Sequence, residues 1–252
     1  MPHQGPVPPR VLPRNDPRQY DDLVDEWWRP DGAFAMLHWL ATARAALVPP
    51  ARRPGALLVD VGCGAGLLAP HLAGRGYRHV GVDLTRSALA QAATHGVTVV
   101  NGDAAALPLA DGCADVVTAG ELLEHVPDWR AAVAEACRVL APGGTLVLDT
   151  LNATALSRLL AVRVAELFRG VPRGIHDPRL FVDSRALVAE CARHGVRLRI
   201  RGVRPTVVGT GRWLLGRAYP ALARRTGRTA PPRIVPTWSS AVLYQGRGVK
   251  DG

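Results

Sequence analysis

Residues 56–66 read Ala56-Leu-Leu-Val-Asp60-Val-Gly62-Cys-Gly64-Ala-Gly66, an apolar run followed by glycines at alternate positions. An apolar run without polar alternation fits a strand covered on both faces, as in a parallel sheet. Glycines directly behind it let the chain turn sharply and approach a ligand with no Cβ in the way, and a following helix would add free backbone N–H groups. Working outward, the same grammar repeats. A helix is expected over Leu67–Arg75, a second strand over His79–Asp83, a helix from the cap Thr85 to about Thr94, and a third strand over Val97–Val100. Val116–Ala119 reads as a fourth strand, Trp129–Leu140 as an amphipathic helix, and Thr145–Asp149 as a fifth strand after the turn at Pro142, Gly143 and Gly144. Helices over Leu156–Phe168 and Ser184–His194 and late strands over Val196–Val203 and Ser240–Tyr244 complete the pattern. Strands separated by helices imply right-handed βαβ units in a doubly wound α/β sheet, with helices on both faces.

The chain has 252 residues, 48% hydrophobic, 21% charged and 5% aromatic, which suits one domain with appendages. Residues 1–18, with five prolines before Asp16, are expected to be a disordered lead-in. Residues 19–50 form a helical segment broken at Pro30, Asp31 and Gly32; its Trp27, Trp28, Phe34, Leu37 and Trp39 suit either a lid over a pocket or helices packed on a flank. The main domain spans 51–252, with insertions at about 153–183 and 201–233. No apolar run approaches the roughly 20 residues of a membrane span and no signal-peptide core is seen, so a cytoplasmic protein is expected. Cys63, Cys113, Cys137 and Cys191 form no CxxC pair, so free thiols are expected. Thirteen cationic residues face one acid, Asp251, over 191–252. Such a block suits an anionic membrane surface, an acidic partner or nucleic acid. Against nucleic acid, only Trp213 and Tyr219 offer stacking rings between 201 and 233.

In open α/β sheets ligands bind beyond the carboxyl ends of the strands. A dinucleotide GxGxxG would need a third glycine at 67, where Leu67 stands. The D-x-GxGxG form from Asp60 through Gly62, Gly64 and Gly66, with Asp83 ending the second strand, resembles the S-adenosylmethionine (SAM) site of class I methyltransferases. A carboxylate at Asp83 can accept from both ribose hydroxyls; the alternative is a helix-capping acid. Asn101-Gly-Asp103 follows strand three, where such enzymes place an acid near the adenine amino group, although a loop Asp also makes turns. The resemblance implies a Rossmann-like class I methyltransferase fold with a mostly parallel seven-stranded sheet.

After strand four the chain reads Gly120-Glu121-Leu-Leu-Glu124-His125. Coiled as one helical turn, Glu121, Glu124 and His125 would share a face and offer an O,O,N set to a divalent ion. The alternative is an active-site wall with Glu124 as a helix-start acid. Together with "DEWWRPDGAFAMLHWL" upstream, and "DTLNATALSRLL" and Pro172-Arg-Gly-Ile-His176-Asp177 downstream, this segment resembles the ubiquinone-biosynthesis O-methyltransferases, over about Tyr20 to Arg201. The resemblance implies O-methylation of a catechol-type hydroxyl on a prenylated quinone precursor, with SAM as donor and a divalent ion; two carboxylates suit magnesium, while a histidine ligand also permits zinc, cobalt or manganese. By the same carry-over Arg44 would meet the SAM carboxylate, Asp60, Gly62, Gly64, Asp83 and Gly120 would line the cofactor, and Glu121, Glu124 and His125 would hold the metal. Gly120 departs from the bulkier residue usual there.

His125 is the expected catalytic base if it is not a ligand; His176, followed by Asp177, is a second candidate or a turn-fixing residue. Between Ser157 and Arg169, leucines interleave with Arg158, Arg163 and Arg169, which suits either peripheral docking on an anionic bilayer or a cover over a pocket. A soluble phenolic acceptor is the competing enzymatic reading, and a nucleic-acid-binding module the non-enzymatic one.

Overall fold

The structure is a computed structural model, and it describes residues 12–167, 172–218 and 231–252. Its frame is one sheet built from β1 (Ala56–Val61), β2 (Tyr77–Asp83), β3 (Thr98–Asn101), β4 (Ala114–Gly120), β5 (Leu140–Leu151), β6 (Val196–Pro205), β7 (Ile234–Thr237) and β8 (Leu243–Lys250). The spatial order is β3-β2-β1-β4-β5-β8-β6-β7. The first five strands pair in parallel, and β8, β6 and β7 extend the sheet antiparallel. Among the described residues the sheet has eight strands rather than seven, because the segment just after the arginine-rich insertion adds β7 to the edge beside β6.

Every residue of β1 is buried, as its apolar run predicts. Leu57, Val59 and Val61 face a core shared with α5 (Trp129–Val139) and α7 (Ser184–Arg193), while Leu58 faces Ala45, Val48, Leu68 and Leu72 on the other side. The strand order reverses between β1 and β4, which puts the topological switch point, where such sheets bind ligands, at the carboxyl ends of these strands. The expected helix over Leu67–Arg75 shrinks to α3 (Ala69–Leu72), and the last strand lies later than expected, at Leu243–Lys250.

The N-terminal residues depart from expectation. From residue 12 on, the segment expected to be disordered is anchored: Arg14 donates to both carboxylate oxygens of Glu166 at 2.7 and 3.0 Å, and the Asn15 amide donates to the Gly174 carbonyl at 2.8 Å. Residues 1–11 lie outside the described residues. Next come α1 (Arg18–Asp22), a 3-10 turn over Val24–Glu26 and α2 (Ala35–Ala45). Helix α4 is Arg86–Thr94. Past β5, α6 (Ala155–Arg158) runs into a π-helical turn over Leu159–Val164 and a 3-10 turn over Ala165–Leu167; Phe168 and Arg169 lie outside the described residues. Helix α8 (Val207–Ala218) of the arginine-rich insertion sets Trp213 edge-on against Trp39 of α2 at 5.1 Å. That segment therefore closes onto the N-terminal helices.

Candidate active site

Gly62, Gly64 and Gly66 all adopt left-handed backbone, at φ of 68°, 51° and 78°, a conformation L side chains rarely take. The space above the turn is closed by the N-terminal segment. A Cβ on Gly64 would lie 2.7 Å from the Trp27 ring and one on Gly62 would lie 2.6 Å from Leu122. The Trp28 indole N–H donates to the Ala65 carbonyl at 3.1 Å. Trp27 and Trp28 of the N-terminal helical segment thus lie against the glycine turn. Trp27 also stacks on Phe34 with centroids 4.3 Å apart, and Tyr20 joins the same stack.

Asp83 ends β2 beside this turn. One of its oxygens accepts from the Gly64 amide at 2.9 Å and the other from the Thr85 amide at 2.8 Å, and burial pushes its carboxyl upward. Asp60 sits buried within β1, accepting from the Thr118 hydroxyl of β4 at 2.5 Å, with His79 Nε2 of β2 3.6 Å away. Asp103 accepts from the Ala105 amide at 2.8 Å in an exposed turn.

At the other side of the switch point Arg44, on α2, reaches the strand ends. Its guanidinium donates twice to Asp149, both at 2.9 Å, in a pair that is almost wholly buried. Asp149 stands beside Gly120 in the β4–β5 register and also accepts from the Glu121 amide and from the Gln245 side chain. A Cβ on Gly120 would fall inside the Arg44 guanidinium. The small residue is thus what lets Arg44 cross the end of β4. Asp149 was not among the expected site residues, although the fifth strand expected from the sequence ended on it, which was a signal for it.

The Glu121–His125 segment does not form the single helical turn expected of it. Glu121 takes φ of 49°, breaking the turn, and a 3-10 helix begins only at Leu123. Among the described residues no three His, Cys, Asp or Glu side chains are gathered as a metal ion would need. Glu121 and Glu124 still feel each other's charge. Burial pushes both carboxyls upward, Glu124 to about 7, and Glu124 adds its charge to the burial of Glu121. Glu124 accepts from the Thr150 hydroxyl at 2.7 Å, while its other oxygen and Glu121 Oε1 are buried without a partner.

His125 turns elsewhere. Its Nδ1 lies 2.6 Å from Asn15 Oδ1 and its Nε2 lies 3.4 Å from the Tyr20 hydroxyl. Its ring stacks on His176 with centroids 5.1 Å apart. Desolvation drives His125 down to about 3 and His176 down to about 4, so both are neutral imidazoles at physiological pH. Asp177 does not orient His176; it accepts from Arg179. Asn15 and Tyr20 escaped the sequence reading because nothing local ties them to a residue more than a hundred positions away.

A glycine turn capped by an acid at the end of β2, on a β3-β2-β1-β4-β5 parallel core, defines a class I SAM-dependent methyltransferase. A family profile described as "Methyltransferase domain" matches residues 59–148. The fold is shared with a SAM-dependent methyltransferase from Thermotoga maritima, described as a possible histamine N-methyltransferase, at a TM-score of 0.63 and 18% identity over 93% of this chain and 97% of that one. Phosphoethanolamine N-methyltransferase 2 of Haemonchus contortus also shares it, at 0.58 and 14% over 92% of this chain and 60% of that one. Sequence narrows the family further. The ubiquinone biosynthesis O-methyltransferase of Methylococcus capsulatus is 41% identical over 70% of this chain and 78% of its own length, and that of Paraburkholderia xenovorans 40% over 68% and 78%. The chain belongs to the ubiquinone biosynthesis O-methyltransferase family, and it is a SAM-dependent O-methyltransferase.

Proposed function

We propose that the acceptor is a catechol-type hydroxyl of a prenylated quinone precursor, reached from a membrane surface. The observation that carries the reading is a set of exposed leucines, Leu156, Leu159, Leu160 and Leu167, on the insertion that also holds His176. The two are tied together, because Glu166 accepts from the Gly174 amide two residues before His176. Exposed apolar side chains on a turn that leads to the active site suit an amphiphilic acceptor drawn from lipid. Among the described residues no helix is long and apolar enough to cross a membrane, so contact would be peripheral. The relatives' name supports the same acceptor class.

The residues at the strand ends fit SAM by their chemistry. Asp83 would accept from the ribose hydroxyls, the glycine turn would pass the methionine moiety, Arg44 has N–H groups beyond the two given to Asp149 for a carboxylate, and Asp103 would meet the adenine amino group. When bound, SAM supplies an electrophilic methyl group. His125, with an unprotonated nitrogen, would take the proton of the acceptor hydroxyl. The buried unpartnered oxygens of Glu121 and Glu124 fit a divalent cation such as magnesium. Such an ion would lower the acceptor's pKa. His125 is not placed to join them, with its nitrogens directed to Asn15 and Tyr20.

The test is methyl transfer from labelled SAM to a prenylated catechol in vesicles, run against a soluble catechol. Labelling of the prenylated lipid is the expected result; transfer to the soluble phenol alone would make a soluble metabolite the acceptor.

A further inference from the structure

We propose that Asn15 is a positioning residue that fixes His125 in one tautomer, with the Nδ1–H bonded to Asn15 and the lone pair of Nε2 directed at the acceptor hydroxyl. This rests on the reading of His125 as the residue that faces the acceptor. The tautomer follows from which atoms can donate. The Asn15 Nδ2 lies 2.9 Å from the His125 backbone carbonyl, an atom that only accepts, so that end of the amide is the NH2 group. The other end, Oδ1, is therefore the atom 2.6 Å from His125 Nδ1. An amide oxygen only accepts, so Nδ1 must carry the proton. In the neutral ring Nε2 is then left with its lone pair.

Two contacts from one amide, to the ring and to the backbone of the same residue, also oppose rotation of the imidazole. Nε2 faces a phenol already: the Tyr20 hydroxyl lies 3.4 Å away. The protein's own phenol thus marks the direction from which an acceptor hydroxyl would meet this nitrogen.

The segment carrying Asn15 is itself held. Asn15 adopts φ of 61°, a left-handed conformation that Asn tolerates better than most residues, and its amide bonds to Gly174. On one side Arg14 donates to the His176 carbonyl at 3.0 Å and pairs with Glu166. On the other, Gln19 donates to the carbonyls of Pro13 and Gly174. These contacts join the N-terminal segment to the loop that carries His176, so Asn15 is delivered to His125 by the same assembly that covers the site. A second group that sets the tautomer of a catalytic imidazole is a recurring requirement, since the wrong tautomer presents an N–H where a proton must be accepted.

The experiment uses the full chain labelled with 15N-histidine, with the His125 signals assigned by their loss in His125→Gln. In the wild type, ring 15N shifts should report Nδ1 protonated and Nε2 unprotonated near neutral pH. Asn15→Ala should move His125 toward the Nε2–H form and lower kcat tenfold or more, with the KM for SAM changed less than threefold. Asn15→Asp keeps an acceptor for Nδ1–H and should retain the wild-type tautomer, which keeps the idea testable if the alanine variant folds poorly. A wild-type ring protonated on Nε2, or an Asn15→Ala protein with unaltered tautomer and kcat, overturns the proposal. Full kcat in His125→Gln would instead overturn the reading on which it rests, and the 15N shifts separate that failure from failure of the tautomer assignment.

Discussion

Replacing Gly120 by Ala adds one methyl group, yet the geometry of Arg44 makes it a severe change. The added Cβ would occupy the place of the guanidinium, which cannot slide aside because Asp149 holds it through two N–H bonds of 2.9 Å. Either the strand end moves or the pair breaks. Asp149 is fully buried, and its remaining donors, the Glu121 amide and Gln245, are neutral, so a displaced Arg44 leaves a buried carboxylate without its countercharge. Loss of one partner from a buried pair costs about 3–5 kcal/mol. For a domain of this size each kcal/mol lowers Tm by about 2–4 °C, so a fall of about 6–20 °C is expected. The assay is urea unfolding with a thermal melt, on Gly120→Ala in the wild-type background and in Arg44→Ala. Without the guanidinium the methyl group has space, and its additional cost should fall below about 0.5 kcal/mol. A cost in the wild type below about 1 kcal/mol, or equal costs in both backgrounds, would refute the reasoning.

Asp83→Ala should weaken SAM binding by about 1.5–3 kcal/mol, the scale of hydrogen bonds to a charged group, and unchanged affinity by calorimetry would remove Asp83 from the cofactor site. Glu124 is pushed to about 7 in the folded protein by burial, above its unfolded value near 4.5, so the native state binds the extra proton. In chelated, cation-free protein its contribution to stability is present below about pH 4.5 and is lost as pH rises through 7, by about 2–3 kcal/mol; Glu124→Gln should flatten that slope in urea titrations from pH 4.5 to 8. Chelation should lower turnover and magnesium restore it if the two glutamates hold an ion, whereas full activity after verified metal removal would leave them as buried acids without a metal. Sedimentation with anionic vesicles at low salt should pellet the protein, and replacing Leu159 and Leu160 by Ser should reduce pelleting severalfold; unaltered binding would make the insertion a pocket cover.

The parallel core was written locally. A fully apolar β1, glycines that must take positive φ behind it and a carboxylate closing β2 are each set by a few neighbouring residues, so periodicity and spacing reveal them. The switch point at the ends of β1 and β4 follows from the topology those segments impose. The same local rules misjudged Glu121–His125, because the left-handed Glu121 breaks a helical spacing that sequence alone makes plausible.

The site's electrostatic and hydrogen-bonded partners were decided only by the tertiary structure. Arg44 and Asp149 are 105 residues apart and Asn15 and His125 110, and in each case an ordinary polar residue acquires its role by being carried against the other. Both pairings depend on the N-terminal segment folding back over the strand ends, where desolvation strengthens each contact and neutralises the histidines. Sequence spacing specifies which residues share a strand or a turn. It does not specify which segment closes over them, because that depends on the fit of surfaces such as Trp27 against Gly64, which exist only once the sheet is assembled.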